Sequence, residues 1–403
     1  MMTEAFDYFT LWQVGPGKRL RADYRGNDLD DESGRASGAI VRRADVASAY
    51  VLFDQVSVQT DSVTEGPPNV GIADLLACAL AVIRIEPSST YALHPPYPSV
   101  RAKIPVRLVD VQERTSFDPW RWVWRSWTEA PAEIGPVDRS MFRLEIIPEY
   151  LPTFYGELRP IICWTEIGLV LRVMTIIANS LGYRLTVEYV ASEGVHFSVM
   201  REHSAYESPR ASSSADTSLG MLFRERQSGR LGGGLFGTYL RNPVGFDADP
   251  FLSCFDAKQG LPFDGKAHLD VRTLYLTRSG RWKSGDVEIA GVDKVLKPLS
   301  GTTSLRGGNR RARAEMLFFV TADLSAVVSE EGEVGVVKSF IGAGWHGYEQ
   351  CASATLAGRV LRPVREFDDF EVAELLDLPR ATHVLLAGFG GLAREFGAVH
   401  NLV

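Results

Sequence analysis

The chain has 403 residues, 45% of them hydrophobic and 23% charged, with a formal net charge of -7. That is room for two domains and composition enough for a sizeable core, while the acidic balance excludes a general surface for nucleic acid or anionic membranes, local basic patches aside. Four cysteines, Cys78, Cys163, Cys254 and Cys351, stand far apart with no CxxC pair, so a disulfide framework is excluded, a reducing, cytoplasmic setting is expected, and three of them are expected as buried free thiols.

From the N-terminus, MMTEAFDYFTLWQVGPGKRLRADYRGND lacks the basic region and continuous apolar run of a signal peptide. The longest apolar stretches, Ile72 to Ile85 and Ile167 to Ile177, are too short or too interrupted by charge to predict a membrane span. The turn YPSVRAK at 97–103 leads into a strand-like run, IPVRLVDV at 104–111. WRWVWRSW at 120–127 is an aromatic–arginine cluster. It fits a partly buried amphipathic strand or an interface, with ligand stacking as the alternative. EIGLVLRVMTIIANSLGYRLTVEYV predicts an apolar helix through Gly168, stopped by Gly182 and followed by a strand. Residues 203–218, HSAYESPRASSSADTS, predict a flexible linker.

Beyond the linker the pattern recurs. The turn LPFDGKA at 261–267 precedes the strand-like VRTLYLT at 271–277, and GTTSLRGGNRRAR at 301–313 predicts a mobile basic loop. GAGWHGYEQCASATLAGRVLRPVREF then runs as a helix from Gly344 to a stop at Gly358, before another β-like run. Both glycine intervals are 14 residues (182 − 168 and 358 − 344). Proline turn, strand, apolar helix, glycine and strand in one order, twice, predict an internal duplication in an α+β fold. The apolar helices should lie at its centre, with the halves packed as the subunits of a symmetric dimer. The predicted division is residues 1–202, a linker at 203–218, and residues 219–403.

These segments resemble the nitroreductase superfamily, within it the azoline dehydrogenases of the streptolysin S biosynthesis type. MLFRERQSGRLGGG resembles an Arg-x-Ser-x-Arg flavin motif, here Arg226, Ser228 and Arg230. GRVLRPVREFDDFEVAELLDLPRATHVLLAGFG resembles the family's glycine turn at Gly358, Phe-Asp-Asp helix start, LLxLP and final strand. PSVRAKIPVRLVDV resembles its Pro-Ser turn, Pro98 and Ser99, and YGELRPIICWTEIGLVLR its Tyr-Gly and Glu-x-Gly helix entrance. The resemblance implies FMN between two nitroreductase-like domains. Arg226, Ser228, Arg230 and Arg394 would hold the phosphate, Pro98 and Ser99 would lie along the ring, and Gly358 would be a further cofactor-binding position. Guanidinium forks suit a phosphate because they bond its oxygens bidentately. The implied activity is dehydrogenation of azolines to azoles in the biosynthesis of ribosomally made peptide natural products (RiPPs). Hydride would pass to flavin N5 and Tyr155 would assist proton removal, with a modified peptide as substrate or a biosynthetic enzyme as partner.

Several positions depart from the family pattern. Its Lys-Tyr pair is Phe154-Tyr155 in one half and Glu330-Glu331 before Gly332 in the other. Its Gln-Asn pair is Arg172-Val173 and Tyr348-Glu349, and its Gly-Leu-Gly turn is Gly358-Arg359-Val360. Loss of FMN, and with it a silent scaffold or adaptor binding a precursor peptide or partner enzyme, therefore stays open. So do a flavin reductase of small aromatics or quinones and homodimerisation of the fused chain. Other chemistries find no motif: no GxGxxG opening a helix, no Walker lysine beside RLGGGLFG, no HExxH, no GxSxG, and no histidine–cysteine spacing for a metal.

Overall fold

The computed structural model describes residues 38–56, 70–85, 93–100, 103–127, 139–201, 217–225, 240–251, 261, 269–296, 313–364, 368–392 and 400–402. The first half builds an antiparallel sheet from β1 (Ile40–Arg43), β4 (Val106–Asp110), β5 (Thr115–Asp118), β6 (Val123–Ser126), β7 (Ser140–Ile146), β8 (Tyr183–Ala191) and β9 (Gly194–Arg201), in the order β1-β6-β5-β4-β7-β9-β8. The second half builds another from β10 (Leu269–Leu276), β11 (Trp282–Ser284), β12 (Val287–Glu288), β13 (Met316–Asp323), β14 (Val360–Val364) and β15 (Thr382–Gly391), in the order β12-β11-β10-β13-β15-β14. Without β1 the two orders correspond strand for strand. The two sequence-predicted strands become β4 and β10, which hold equivalent places beside β7 and β13.

Two long helices fill the space between the sheets, α3 (Arg159–Ser180) against the first and α6 (Leu324–Leu356) against the second. Shorter helices are α1 (Val46–Phe53), α2 (Ile72–Ala77), α4 (Leu219–Glu225), α5 (Val292–Leu296) and α7 (Asp369–Leu376). Pro160 sits in the first turn of α3, where a missing N–H costs no intrahelical bond. Asp323 caps α6 by accepting the Ala326 N–H at 3.0 Å. Both helices stop as expected: Gly182 and Gly358 follow their last turns with φ of +74° and +68°, a conformation that glycine adopts without a Cβ penalty. Both helices also start earlier than their glycines suggest. The α6 segment, rich in Gly342, Gly344 and Gly347, has low helix propensity and is held by packing instead.

The helices touch backbone to backbone. A Cβ on Gly168 would lie 2.8 Å from Trp345 N and closer still to Ile341 O. A Cβ on Gly344 would lie 3.0 Å from Leu169 N and closer still to Thr165 O. The contacts are reciprocal under one shift of 176 residues (344 − 168), which also carries Gly156 onto Gly332 and Gly182 onto Gly358. That is the self-complementary geometry of a two-fold interface, formed here within one chain.

One large core spans both halves, and a smaller one lies beneath α5 and α7 on the outer face of the second sheet. The helix from Tyr155 to Ser180 is long and apolar enough to cross a bilayer, a length that the sequence reading missed. Its central window is 83% buried within the fold, as a core helix is. Cys78, Cys163 and Cys351 are buried free thiols, as expected of three; Cys254 lies outside the described residues. Trp124 and Trp127 of the aromatic cluster are buried and Trp120, in the turn before the strand, is exposed; β6 itself is buried at Val123, Trp124 and Arg125 in succession, so it is covered on both faces and not amphipathic as expected. Residues 203–216 of the linker and 301–312 of the basic loop lie outside the described residues. Ser218 Oγ accepts the Met221 N–H at 3.1 Å at the start of α4.

Candidate functional site

The turn at Tyr97–Val100 is held by its own backbone, Ser99 N–H to Tyr97 O at 3.0 Å, and by a carboxylate of the central helix. Glu166 Oε1 accepts the Val100 N–H at 2.6 Å. Glu166 is 1% exposed on an otherwise apolar stretch of α3, and this bond gives its buried charge a partner. The Ser99 Oγ is buried and makes no hydrogen bond among the described residues. A buried hydroxyl of that kind suits a polar ligand atom, so the donor chemistry at this turn fits an FMN.

Tyr155 lies in the 3₁₀ turn Thr153–Leu158 just ahead of α3, half-buried, next to Gly156 with φ +50°. Tyr155 thus precedes α3, whereas the Pro98–Ser99 turn is tied to Glu166, two turns inside that helix. Gly358 stands instead at the C-terminal stop of α6. Arg226, Ser228, Arg230 and Arg394 lie outside the described residues.

The pseudo-equivalent place in the other half differs. The position matching Glu166 is Gly342, and a Cβ there would run into the Leu269 and Leu261 side chains. Apolar side chains fill the space that in the first half surrounds a carboxylate and a turn.

Further along the crossing, Arg172 is fully buried. Its guanidinium lies 3.0 Å from Glu349 Oε1 and 4.8 Å from the centre of the Trp345 ring. Glu349 Oε2 is 2.9 Å from His346 Nδ1. Burial lowers the Arg172 pKa from its usual value, opposed first by Glu349. Positions 172 and 349, both departures from the family's Gln-Asn pair, bind one another.

Two segments C-terminal to residue 218 pack on the first half. The Leu219 N–H donates to Val56 O at 2.8 Å, Arg224 pairs with Asp54, and Arg84 Nη1 donates to Arg224 O at 3.3 Å. At the far end of the chain β16 (His400–Asn401) joins β2 (Arg84–Ile85) and β3 (Leu93–His94) in a three-stranded sheet. Sequence reasoning missed Arg84, Asp54 and the pairing role of Glu166. A lone carboxylate inside an apolar helix was the signal available for Glu166. Nothing local marked the other two.

A cavity of about 340 Å³ lies elsewhere, between α7 and β15, beside Phe370, Arg380 and His383. Among the described residues no group of three or more side chains could hold a metal.

These elements define a fused pair of α+β domains meeting at a two-fold helix crossing, with a polar turn fastened to one of the two helices. That architecture is the nitroreductase fold in duplicate: a protein assigned as a nitroreductase from Anabaena variabilis superposes on 97% of this chain and 99% of its own, with a TM-score of 0.59 at 10% identity. Two shorter overlaps are with the Escherichia coli microcin synthetase McbBCD complex with truncated pro-MccB17 bound (TM-score 0.27, 14% identity, 38% of this chain and 61% of that one) and a protein assigned as a nitroreductase from Ralstonia eutropha (0.25, 16%, 32% and 60%). No protein-family model and no curated protein sequence matches the chain.

Proposed function

We propose that the chain is an FMN-dependent oxidoreductase of peptide natural-product biosynthesis, dehydrogenating azolines to azoles. The observation that carries this reading is the Pro98–Ser99 turn, tied to the central helix by Glu166 and presenting a buried, unbonded serine hydroxyl. In this reading Arg226, Ser228, Arg230 and Arg394 hold the phosphate, and Pro98 and Ser99 line the ring. Bound FMN would supply the hydride acceptor. Tyr155 stands at the helix entrance to help move the substrate proton, a form of assistance worth roughly 10²–10⁴-fold where it operates. Gly358, at the other end of α6, contributes the stop of that helix and through it the position of β14. Because Gly342 and its leucines stand where Glu166 and its turn stand in the other half, one flavin per chain is the expected stoichiometry.

A second reading is a silent scaffold that binds a precursor peptide or a partner enzyme. The mutual pairing of Arg172, Glu349 and His346 at positions where a flavin-binding helix would offer amides favours it. Purified protein separates the two. A yellow protein with flavin absorbance, bleached by Arg226→Ala, and conversion of a thiazoline peptide to its thiazole would support the enzyme. Colourless protein that takes up no added FMN would overturn the enzyme reading and leave the scaffold.

A further inference from the structure

We propose that the cavity between α7 and β15 binds a small apolar monocarboxylate, with Arg380 holding the carboxylate. The first half has no counterpart to it. There β8 turns directly into β9 through Ser192 and Glu193, whereas β14 and β15 are joined through α7 and the turn that follows it. That connection builds the walls. Asp377 ends α7 in the left-handed region with φ +52°. The Leu378 N–H returns to Ala373 O at 2.9 Å, and the Thr382 N–H closes a turn onto Pro379 O at 2.9 Å. The resulting space of about 340 Å³ falls in the range of small-ligand sites, roughly 300–1,000 Å³. Phe370, Ala373, Leu378, Pro379 and Val384 give it a mainly apolar lining, and Phe370 leaves 57% of its surface to water. A guest with an apolar body would cover that ring. Arg380 lines the same space, and no hydrogen bond or ion pair engages its guanidinium among the described residues. Its forked donors match the two oxygens of a carboxylate. Asp369, buried in the first turn of α7, brings a carboxylate to the same lining, so a second acidic group on the guest would meet repulsion. One acid and an apolar remainder is the guest that these charges select. This inference is independent of the FMN reading.

The test titrates phenylbutyrate, its uncharged analogue phenylbutanol and the dianion phenylsuccinate into the full chain, followed by saturation-transfer NMR on the small molecule. Phenylbutyrate should saturate and bind about tenfold or more tighter than the alcohol, the difference of one charge-assisted contact, and phenylsuccinate should also be weaker. Arg380→Gln, at an exposed position, should lower the acid to the level of the alcohol and leave the alcohol unchanged. Ala373→Leu, which grows into the cavity, should weaken acid and alcohol alike. If Ala373→Leu does not fold, Phe370→Ala removes an exposed part of the lining and should show a smaller loss of the same kind. A wild-type chain that gives no saturable signal with phenylbutyrate overturns the inference, as do equal affinities for acid and alcohol. Unchanged acid affinity in Arg380→Gln overturns it too, since the acid would then be bound elsewhere on the molecule.

Discussion

Gly168 and Gly344 each face the backbone of the other's helix, Gly168 against Ile341 and Trp345 and Gly344 against Thr165 and Leu169, so the crossing is two equivalent close approaches related by a local two-fold. A methyl group at either place has only main-chain atoms to push against. Gly168→Ala and Gly344→Ala should each destabilise the chain by about 1–3 kcal/mol or more, since overpacking against backbone cannot be relieved by a rotamer change. Urea midpoints measure this, and unchanged midpoints would show that the helices can separate freely.

The Arg172–Glu349 pair makes a second prediction. Glu349→Leu leaves a guanidinium buried without its carboxylate and should cost about 3–5 kcal/mol. Arg172→Met in the same chain should recover most of that loss, because a buried ion pair replaced by apolar groups of similar volume is near neutral. A double variant as unstable as the single one would mean that Arg172 contributes mainly through its stacking on Trp345.

Stability should also rise with pH through a histidine. On the outer face of the first sheet His196 stacks on Tyr189, with ring centres 4.2 Å apart. Burial first, then the Arg143 guanidinium, hold it down from 6.5 to about 4, against the opposing pull of Glu193. A group whose folded pKa is depressed binds fewer protons folded than unfolded in that interval, so stability increases with pH there and is lost on acidification. Urea midpoints should climb between pH 4 and 6.5, and His196→Gln should flatten that part of the climb. An identical slope in the variant would refute the assignment.

Glu166→Gln keeps the shape of the side chain but weakens its charge-assisted bond to the Val100 N–H. The loss should be about 1–2 kcal/mol of stability. If the turn lines a flavin ring, FMN and riboflavin, which has the same ring and no phosphate, should weaken together in this variant. Unaltered affinity for both would separate the turn from flavin binding.

Much of the architecture was legible because helices and glycines speak locally. The stops at Gly182 and Gly358 and the strands that became β4 and β10 come from periodicity and from the one residue that tolerates positive φ, so duplication could be read from spacing. The start of α6 was not legible, since its glycine-rich stretch reads as weak helix and is stabilised by neighbours distant in sequence. Two-residue strands such as β2 and β16 carry no period at all. At the site, Pro98, Ser99 and Tyr155 could be nominated from their motifs, whereas the bond from Val100 to Glu166 joins residues far apart in the chain. Arg172 and Glu349 were recognised as departures, but their pairing exists only once the helices cross.

The strand β16 carries one last consequence. By closing onto β2 it pairs a segment that follows the second half with the half that was synthesised first, so unfolding the first half releases that segment as well. Association that two separate subunits would lose on dilution becomes a property of a single molecule, independent of its concentration.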